Sequence, residues 1–368
     1  MTKQEQRVLE IIKNNPLIEQ ASIAKLLGIK RSTVAVHITN LQKQGYIAGK
    51  GYILNSEKYV LGIGAANIDV YGKSNIKIRT HYDHPANINT CVGGVTKNII
   101  TNLSKLNVKT KLMTAVGDDS YGKMILQDCD NNDIDTKNIV INKNKTTGVF
   151  MQVQDENNDM YLALCDMSVL DDITPEYIQK KKNILLNAQL VLMDSSLRLD
   201  TIEKIIEICK DKVPIYVNPI SDNYALKIKP YVKDFTCIEA NRTELENLSG
   251  MKIKDDEAII LACQKLFKKG LKKIFVSCGK DGILYMDYKN NILKRKFKVV
   301  SKIQNASGAG DAAMAGLLYG TINNLNIEDI INYGLAAGSA TVMSDEATNV
   351  NLSVNLLDKI IKENTNGL

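Results

Sequence analysis

The sequence predicts an α/β protein: a doubly wound, mostly parallel sheet flanked by helices, with a small β lid, preceded by a separate domain of short helices. Three observations lead there. Beyond residue 58 short apolar runs alternate with amphipathic stretches, the pattern of buried parallel strands and their covering helices. One stretch breaks that rhythm with a period of two and reads as a hairpin. The charge is also uneven along the 368 residues: positions 1–54 hold eight basic and three acidic residues, a net of +5, whereas the other 314 hold 39 basic and 38 acidic, a net of +1.

Composition removes several classes. Hydrophobic residues make up 44% and charged residues 24%, and 6 Pro with 23 Gly are too few for a fibrous or disordered chain. No apolar run approaches the roughly 18 residues that cross a bilayer, and the opening MTKQEQRVLE is charged where a signal peptide is apolar. A cytoplasmic protein with no membrane partner is expected. Seven scattered Cys without a C-x-x-C pair argue against a disulfide framework or a structural zinc, and predict reduced, mostly core thiols.

In the basic segment, Val8, Leu9, Ile11 and Ile12 predict a first helix, and Ile23, Ala24, Leu26 and Leu27 a second that closes at Gly28. Val34, Ile38 and Leu41 predict a third. Arg31, Ser32 and Thr33 should open the third helix with capping hydroxyls, and Tyr46 to Leu54 reads as two short strands about a Gly-Lys-Gly turn. Over these 54 residues the chain resembles the winged-helix domains of bacterial regulators. The resemblance implies that Arg31, Ser32, Thr33 and His37 face the DNA major groove and that Lys50 reaches phosphate. A winged helix used only for protein contacts is the alternative. Residues 1–54 are expected as this domain, 55–58 as a linker and 59–368 as the body.

In the body, strands are predicted at Val60 to Gly64, Lys111 to Val116, Leu190 to Met193, Pro214 to Val217, Phe235 to Glu239 and Lys273 to Ser277. Thr147, Val149, Met151 and Val153 alternate with their neighbours, residues 155–158 turn, and Met160 to Cys165 runs back. With Asp69 to Ile78 this predicts a lid built near 69–90 and 146–166.

Gly117 to Lys123 fits G-x-x-x-x-G-K, but Met124 follows where a phosphate loop needs Ser or Thr, so it is read as a strand-to-helix connection. Gly308-Ala309-Gly310-Asp311 differs because it stands before a small-residue helical run. Its glycines allow close backbone approach, the free amides would face an anion, and Asp311 in the first turn could take a proton from a substrate hydroxyl. A Gly-rich turn with a capping carboxylate is the alternative. Gly93-Gly94 precedes a helix with Val95, Ile99, Leu103 and Leu106 on one face, which leaves Asn98 on a flank where its amide could bind vicinal hydroxyls. Asn67 and Asp69 follow the first strand, where open α/β sheets bind ligands.

Taken together, Gly93-Gly94-x-x-x-Asn98, Asn241-x-x-Glu244, Ser277 to Gly282 and Gly308 to Asp311 resemble the ribokinase-like (PfkB) carbohydrate kinase family over about 310 residues. The resemblance implies phosphoryl transfer from ATP to a sugar hydroxyl, with Asp311 as base and Gly308, Ala309 and Gly310 forming the anion hole. Asn67, Asp69, Gly93, Gly94 and Asn98 would hold the sugar. It also implies Asn241 and Glu244 at magnesium and phosphate through water, and Ser277, Gly279, Gly282, Ala340 and Asn349 along the nucleotide. A potassium ion and a homodimer are further expectations. Within the family the sequence is most similar to pseudouridine kinases: Gly64 to Asp69, Gly93 to Ile99, Asp166-Met167, Asn218 to Ser221 and Glu239 to Glu244 carry this. Asn305 and Asn218 stand where many relatives have Asp. Asp166 is the expected contact to the base, against the reading of a solvated carboxylate at a turn. Kinases for ribose, inosine, adenosine or fructose-type acceptors remain open, as does a transcriptional regulator that uses an inactive kinase fold as a ligand sensor.

Overall fold

The computed structural model describes residues 1–49, 58–157, 159–298, 307–344 and 346–365. Lys50, the second strand expected for the wing, most of the linker and Asn305 lie outside them.

The amino-terminal domain packs helices Lys3–Asn14, Gln20–Leu27 and Arg31–Lys43 around Val8, Leu9, Ile12, Ile23, Ala24, Val34, Ile38, Leu41 and Ile47. Gly28 closes the second helix in the left-handed region, at φ 66°. The start of the third helix corrects an expectation. Its cap is Lys30, without a side-chain bond, so Ser32 and Thr33 sit inside the first turn with their hydroxyls exposed and uninvolved in capping.

The body is an eight-stranded sheet. Its strands lie in the order Ile292–Arg295, Ile283–Asp287, Lys273–Ser277, Cys237–Asn241, Ile215–Asn218, Leu190–Asp194, Val60–Ile63 and Thr110–Met113. The six from Lys273–Ser277 to Thr110–Met113 are parallel, and the other two add an antiparallel edge. Apolar layers cover both faces, so the central strands are apolar on both sides. Two predicted strands differ in detail. Residues 110–117 divide at Thr114, with Ala115–Gly117 leaving the main sheet to pair with Val140–Asn142. A doubly buried run hides such a change because both faces read apolar. The strand expected at 235–239 instead spans Cys237–Asn241, because Glu239 is buried by polar partners rather than turned to water.

The lid is a four-stranded sheet ordered Ala86–Gly93, Asn67–Ser74, Val149–Gln154 and Met160–Asp166. Ile68, Val70 and Val92 point into the body's core. Strand alternation therefore turns Asn67, Asp69 and Tyr71 to the opposite face, and register adds Cys91, Phe150, Gln152 and Cys165 to it.

Near the carboxyl end, helices Ala309–Ile322 and Ile327–Val342 come together at backbone distance. A Cβ on Gly316 would lie 2.3 Å from the Tyr333 carbonyl oxygen, and one on Gly320 would lie 2.9 Å from Ile330 Cα. Five of the seven cysteines are buried and all are free.

Candidate active site

The carboxyl ends of the parallel strands collect most of the predicted polar residues, as the topology of open sheets requires. Asp311 stands in the first turn of Ala309–Ile322, whose cap is Gly308 at φ 75°. Only glycine serves at position 308, because a Cβ would lie 2.0 Å from the Ala347 carbonyl oxygen as well as demand a left-handed backbone. The first intrahelical bond is donated by Ala312 to the Gly308 carbonyl, so the amides of Ala309, Gly310 and Asp311 are left over at the positive end of the helix. A Cβ on Gly310 would meet nothing within 4 Å, which leaves room for a ligand there.

Among the described residues Asp311 accepts one hydrogen bond, from Asn98 Nδ2 at 2.9 Å. Burial pushes its carboxyl up to about 7, and the charges of Asp69, Asp194 and Glu244 push the same way against the Asn98 bond. A carboxylate with that affinity is matched to general-base work at neutral pH. Asn98 uses one of its two amide N–H donors on Asp311, while its buried Oδ1 has no partner among the described residues. A buried acceptor without a donor is costly and suits a ligand hydroxyl.

Beside it, Asp69 accepts from Asn67 Nδ2 at 2.6 Å and from the Tyr71 hydroxyl at 3.2 Å. Burial raises its carboxyl above the ordinary range, with those two donors and nearby Lys97 pulling back. The glycine pair makes this packing possible. A Cβ on Gly93 would lie 2.2 Å from Asp69 Oδ2, and Gly94, at φ 102°, caps Val95–Lys105 within 2.6 Å of the Ala65 carbonyl by the same measure.

On the far side, Asn241 and Glu244 form a capping box on Arg242–Ser249. The Glu244 amide donates to Asn241 Oδ1 and the Asn241 amide to Glu244 Oε2, both at 2.9 Å. Burial raises the Glu244 carboxyl. Ser277 donates to Glu239 Oε1 at 2.9 Å, and Asn218 Nδ2 donates to Glu239 Oε2 at 2.8 Å. Glu239, buried among three strand ends, is pushed up to about 8 by burial and then by Glu244. The sequence reading missed its role: an isolated Glu at the end of an apolar run signals burial only once its partners are known.

The other predicted nucleotide residues separate. Gly279 is open, at φ 60° with nothing near its Cβ position, whereas Gly282 is packed so that a Cβ would meet the Arg295 carbonyl oxygen at 1.9 Å. Ala340 is fully buried in the helix pair, and its carbonyl accepts from Asn349 Nδ2 at 2.6 Å. Asn349 Oδ1 is used by the Asn351 amide. These contacts fix the turn that joins Asn349 to Ala340.

Asp166 does not join Asp69. It pairs with Val149, which pairs with Ile68, so it lies on the body-facing side of the lid. There it accepts from the Ser168 amide at 2.9 Å, a bond that holds its carboxyl below the usual range. It lines a separate cleft of about 420 Å³ with Tyr121, Thr146 and Thr147. Asp119, from the rejected phosphate-loop pattern, caps Ser120–Asn131 and accepts from the Thr147 amide and hydroxyl, so no anion could lie there. In the amino-terminal domain Arg31, Ser32 and Thr33 are exposed, as is Val36, whereas His37 is half-buried.

Comparison with known proteins places this geometry in context. The model of the pfkB family carbohydrate kinases matches residues 57–353, and one described as winged helix-turn-helix DNA-binding matches residues 1–48. The uncharacterized sugar kinase YeiI of Escherichia coli (strain K12) is 30% identical over 353 residues, covering 96% of this chain and 97% of the relative. The pseudouridine kinase of the same organism is 27% identical over 301 residues, covering 82% and 96%. The structure of Arabidopsis thaliana ribokinase complexed with ribose and ATP superposes with a TM-score of 0.74 at 20% identity over 83% of this chain and 99% of that one, which shows the fold. The chain belongs to the pfkB family of carbohydrate kinases and carries an amino-terminal winged helix-turn-helix domain.

Proposed function

From that membership we propose that the chain transfers the γ-phosphoryl group of ATP to the 5′-hydroxyl of a ribonucleoside, with pseudouridine the foremost acceptor, and that its amino-terminal domain binds DNA. One observation carries the chemistry: a carboxylate tuned to about 7 in the first turn of a helix whose leading amides have no partner within the helix. Asp311 would remove the hydroxyl proton while the Ala309 and Gly310 amides hold charge developing on the transferred group. Asn98 Oδ1 would accept from the acceptor. Asn67 and Asp69 would take ribose hydroxyls.

The donor set suits magnesium arriving with the nucleotide. Glu244 offers a buried carboxylate and Asn241 an exposed amide, and among the described residues no cluster of three His, Cys, Asp or Glu could cage a metal unaided. Glu244 and Asn241 would hold the ion through water, and bound magnesium would neutralise phosphate charge.

Pseudouridine is favoured by the relative with that activity. Because Asp166 faces away, the lid groups for the base are Phe150 and Gln152, on the Asp69 side. A Gln amide can both donate to and accept from an imide edge. For DNA, the exposed Arg31, Ser32, Thr33 and Val36 lie along one helix, and Val36 suits a thymine methyl.

The deciding experiment is a coupled ADP-release assay with Mg-ATP and a panel of pseudouridine, uridine, inosine, adenosine and ribose. Turnover confined to pseudouridine is the expected result, and another preferred acceptor would overturn the substrate assignment. Absence of turnover, with one acceptor still raising the melting temperature, would establish a ligand sensor instead.

A further inference from the structure

The lid and the anion-binding helix are joined by one side chain that the catalytic reading leaves unused. Tyr71 is half-buried on the lid face that carries Asp69, two residues farther along the same strand. Its hydroxyl donates to Asp69 Oδ2 at 3.2 Å. The Ser307 side chain is within hydrogen-bonding reach of the same phenol. Ser307 immediately precedes Gly308, the cap whose position is fixed against Ala347. Two segments distant in sequence thus meet at Tyr71, whose hydroxyl donates to Asp69 on its own strand and lies within reach of Ser307. Burial and the Asp69 charge push the phenol well above its ordinary range, so it stays a donor at any physiological pH.

We propose that Tyr71 is a positioning residue that makes acceptor binding and phosphate binding interdependent, by tying the sugar-binding carboxylate to the residue that leads into the anion hole. This rests on the kinase reading of the site and adds to it a route of communication. Hydroxyls of the acceptor that donate to Asp69 fix the carboxylate to which Tyr71 is bonded. The phenol oxygen then holds Ser307 in one orientation, and the Ala309 and Gly310 amides follow within two and three residues. The hole is complete only when the acceptor is present, and water is a poor substitute because it cannot bridge the same groups.

The test is a double-mutant cycle between Tyr71→Phe and Ser307→Ala. Neither variant threatens the fold: the first removes one oxygen, and Ser307 is exposed. Calorimetric titration with a non-hydrolysable ATP analogue, with and without saturating acceptor, gives the coupling between the two sites. In the wild-type protein the acceptor should tighten the analogue at least about 5-fold, and each single variant should reduce that factor to about one. The double variant should lose nothing further, because both substitutions cut the same chain. Multiple-turnover assays should show kcat falling in both variants, with more ATP hydrolysed per acceptor phosphorylated. Intact coupling in Tyr71→Phe overturns the proposal, as do fully additive losses or a rise in acceptor KM as the sole change. If wild-type protein binds neither analogue nor acceptor, the kinase reading falls first and takes this role with it, an outcome distinct from variants that couple normally.

Discussion

Two corners near the carboxyl ends of the strands, one holding the fully buried Asp194 and the other the half-buried Asp311, are built for opposite purposes. At the end of Leu190–Asp194, Asp194 accepts from the Ala65 amide at 2.8 Å, from Thr96 Oγ1 at 2.7 Å, from the Ser196 amide at 3.0 Å and from the Ser196 hydroxyl. Gly64 makes room for it, since a Cβ there would lie 2.3 Å from Asp194 Oδ2. Among the described residues Asp311 has one donor and three neighbouring carboxylates. The first corner spends its charge on fastening the loop after the first strand to the fourth helix of the chain. The second keeps a charge poorly satisfied, which leaves it reactive. Donor number as well as burial separates the structural acid from the proposed base.

Substitution at each corner should break the comparison in different measurements. The largest effect is expected for Asp311→Asn, which should lower kcat about 10²–10⁴-fold while acceptor binding measured by calorimetry persists. Near wild-type turnover would remove Asp311 from the chemistry. Next, Asp194→Ala strands several buried donors at about 1–3 kcal/mol each, so its thermal midpoint and soluble yield should fall before kcat per folded molecule does. The pH profile sharpens the contrast. With Asp311 near 7, kcat/KM should climb with unit slope below that pH and level off above it. Asn98→Ala removes the donor that favours the ionised form, so the bend should move to higher pH. A bend near pH 4 would mean that Asp311 is not the titrating group.

A smaller effect should appear in stability. The Asp311 carboxyl lies above its unfolded value near 3.8, so the stability it contributes is fully present below that pH and is lost as pH rises through about 7. Asp311→Asn should therefore melt about 2–4 °C above wild type at pH 8, with the gain shrinking at pH 5. Smallest of all, Asp166→Ala should change kcat/KM less than about 2-fold, as for an exposed residue away from the site. A large loss with pseudouridine alone would return Asp166 to the base.

Much of this was legible without coordinates. Gly308, Gly310 and Asp311 are informative as a group because a positive-φ cap, an open amide and an acid must be consecutive to act together. The parallel strands were visible because doubly buried strands are apolar throughout. Side-chain commitments were not visible. Asn98 was expected to bind hydroxyls through its amide, and the bond of one N–H to a residue 213 positions away could not be read from its spacing. Asp166 was expected at the base, and the face it takes could not be read from the hairpin alone because it depends on register with a third strand, Asn67–Ser74. Strand Ala86–Gly93 was only partly foreseen, since an exposed edge strand rich in Asn lacks the apolar alternation that announces its neighbours.

The glycine contacts between Ala309–Ile322 and Ile327–Val342 also bear on how the molecule fails when heated. A helix held to its neighbour by backbone contact at Gly316 and Gly320 has no soft side-chain layer in which to slip, so its middle turns cannot part from the partner helix while the remainder stays folded. Inactivation on heating and loss of tertiary signal in the body should therefore coincide in a single transition rather than appear as an early loss of function.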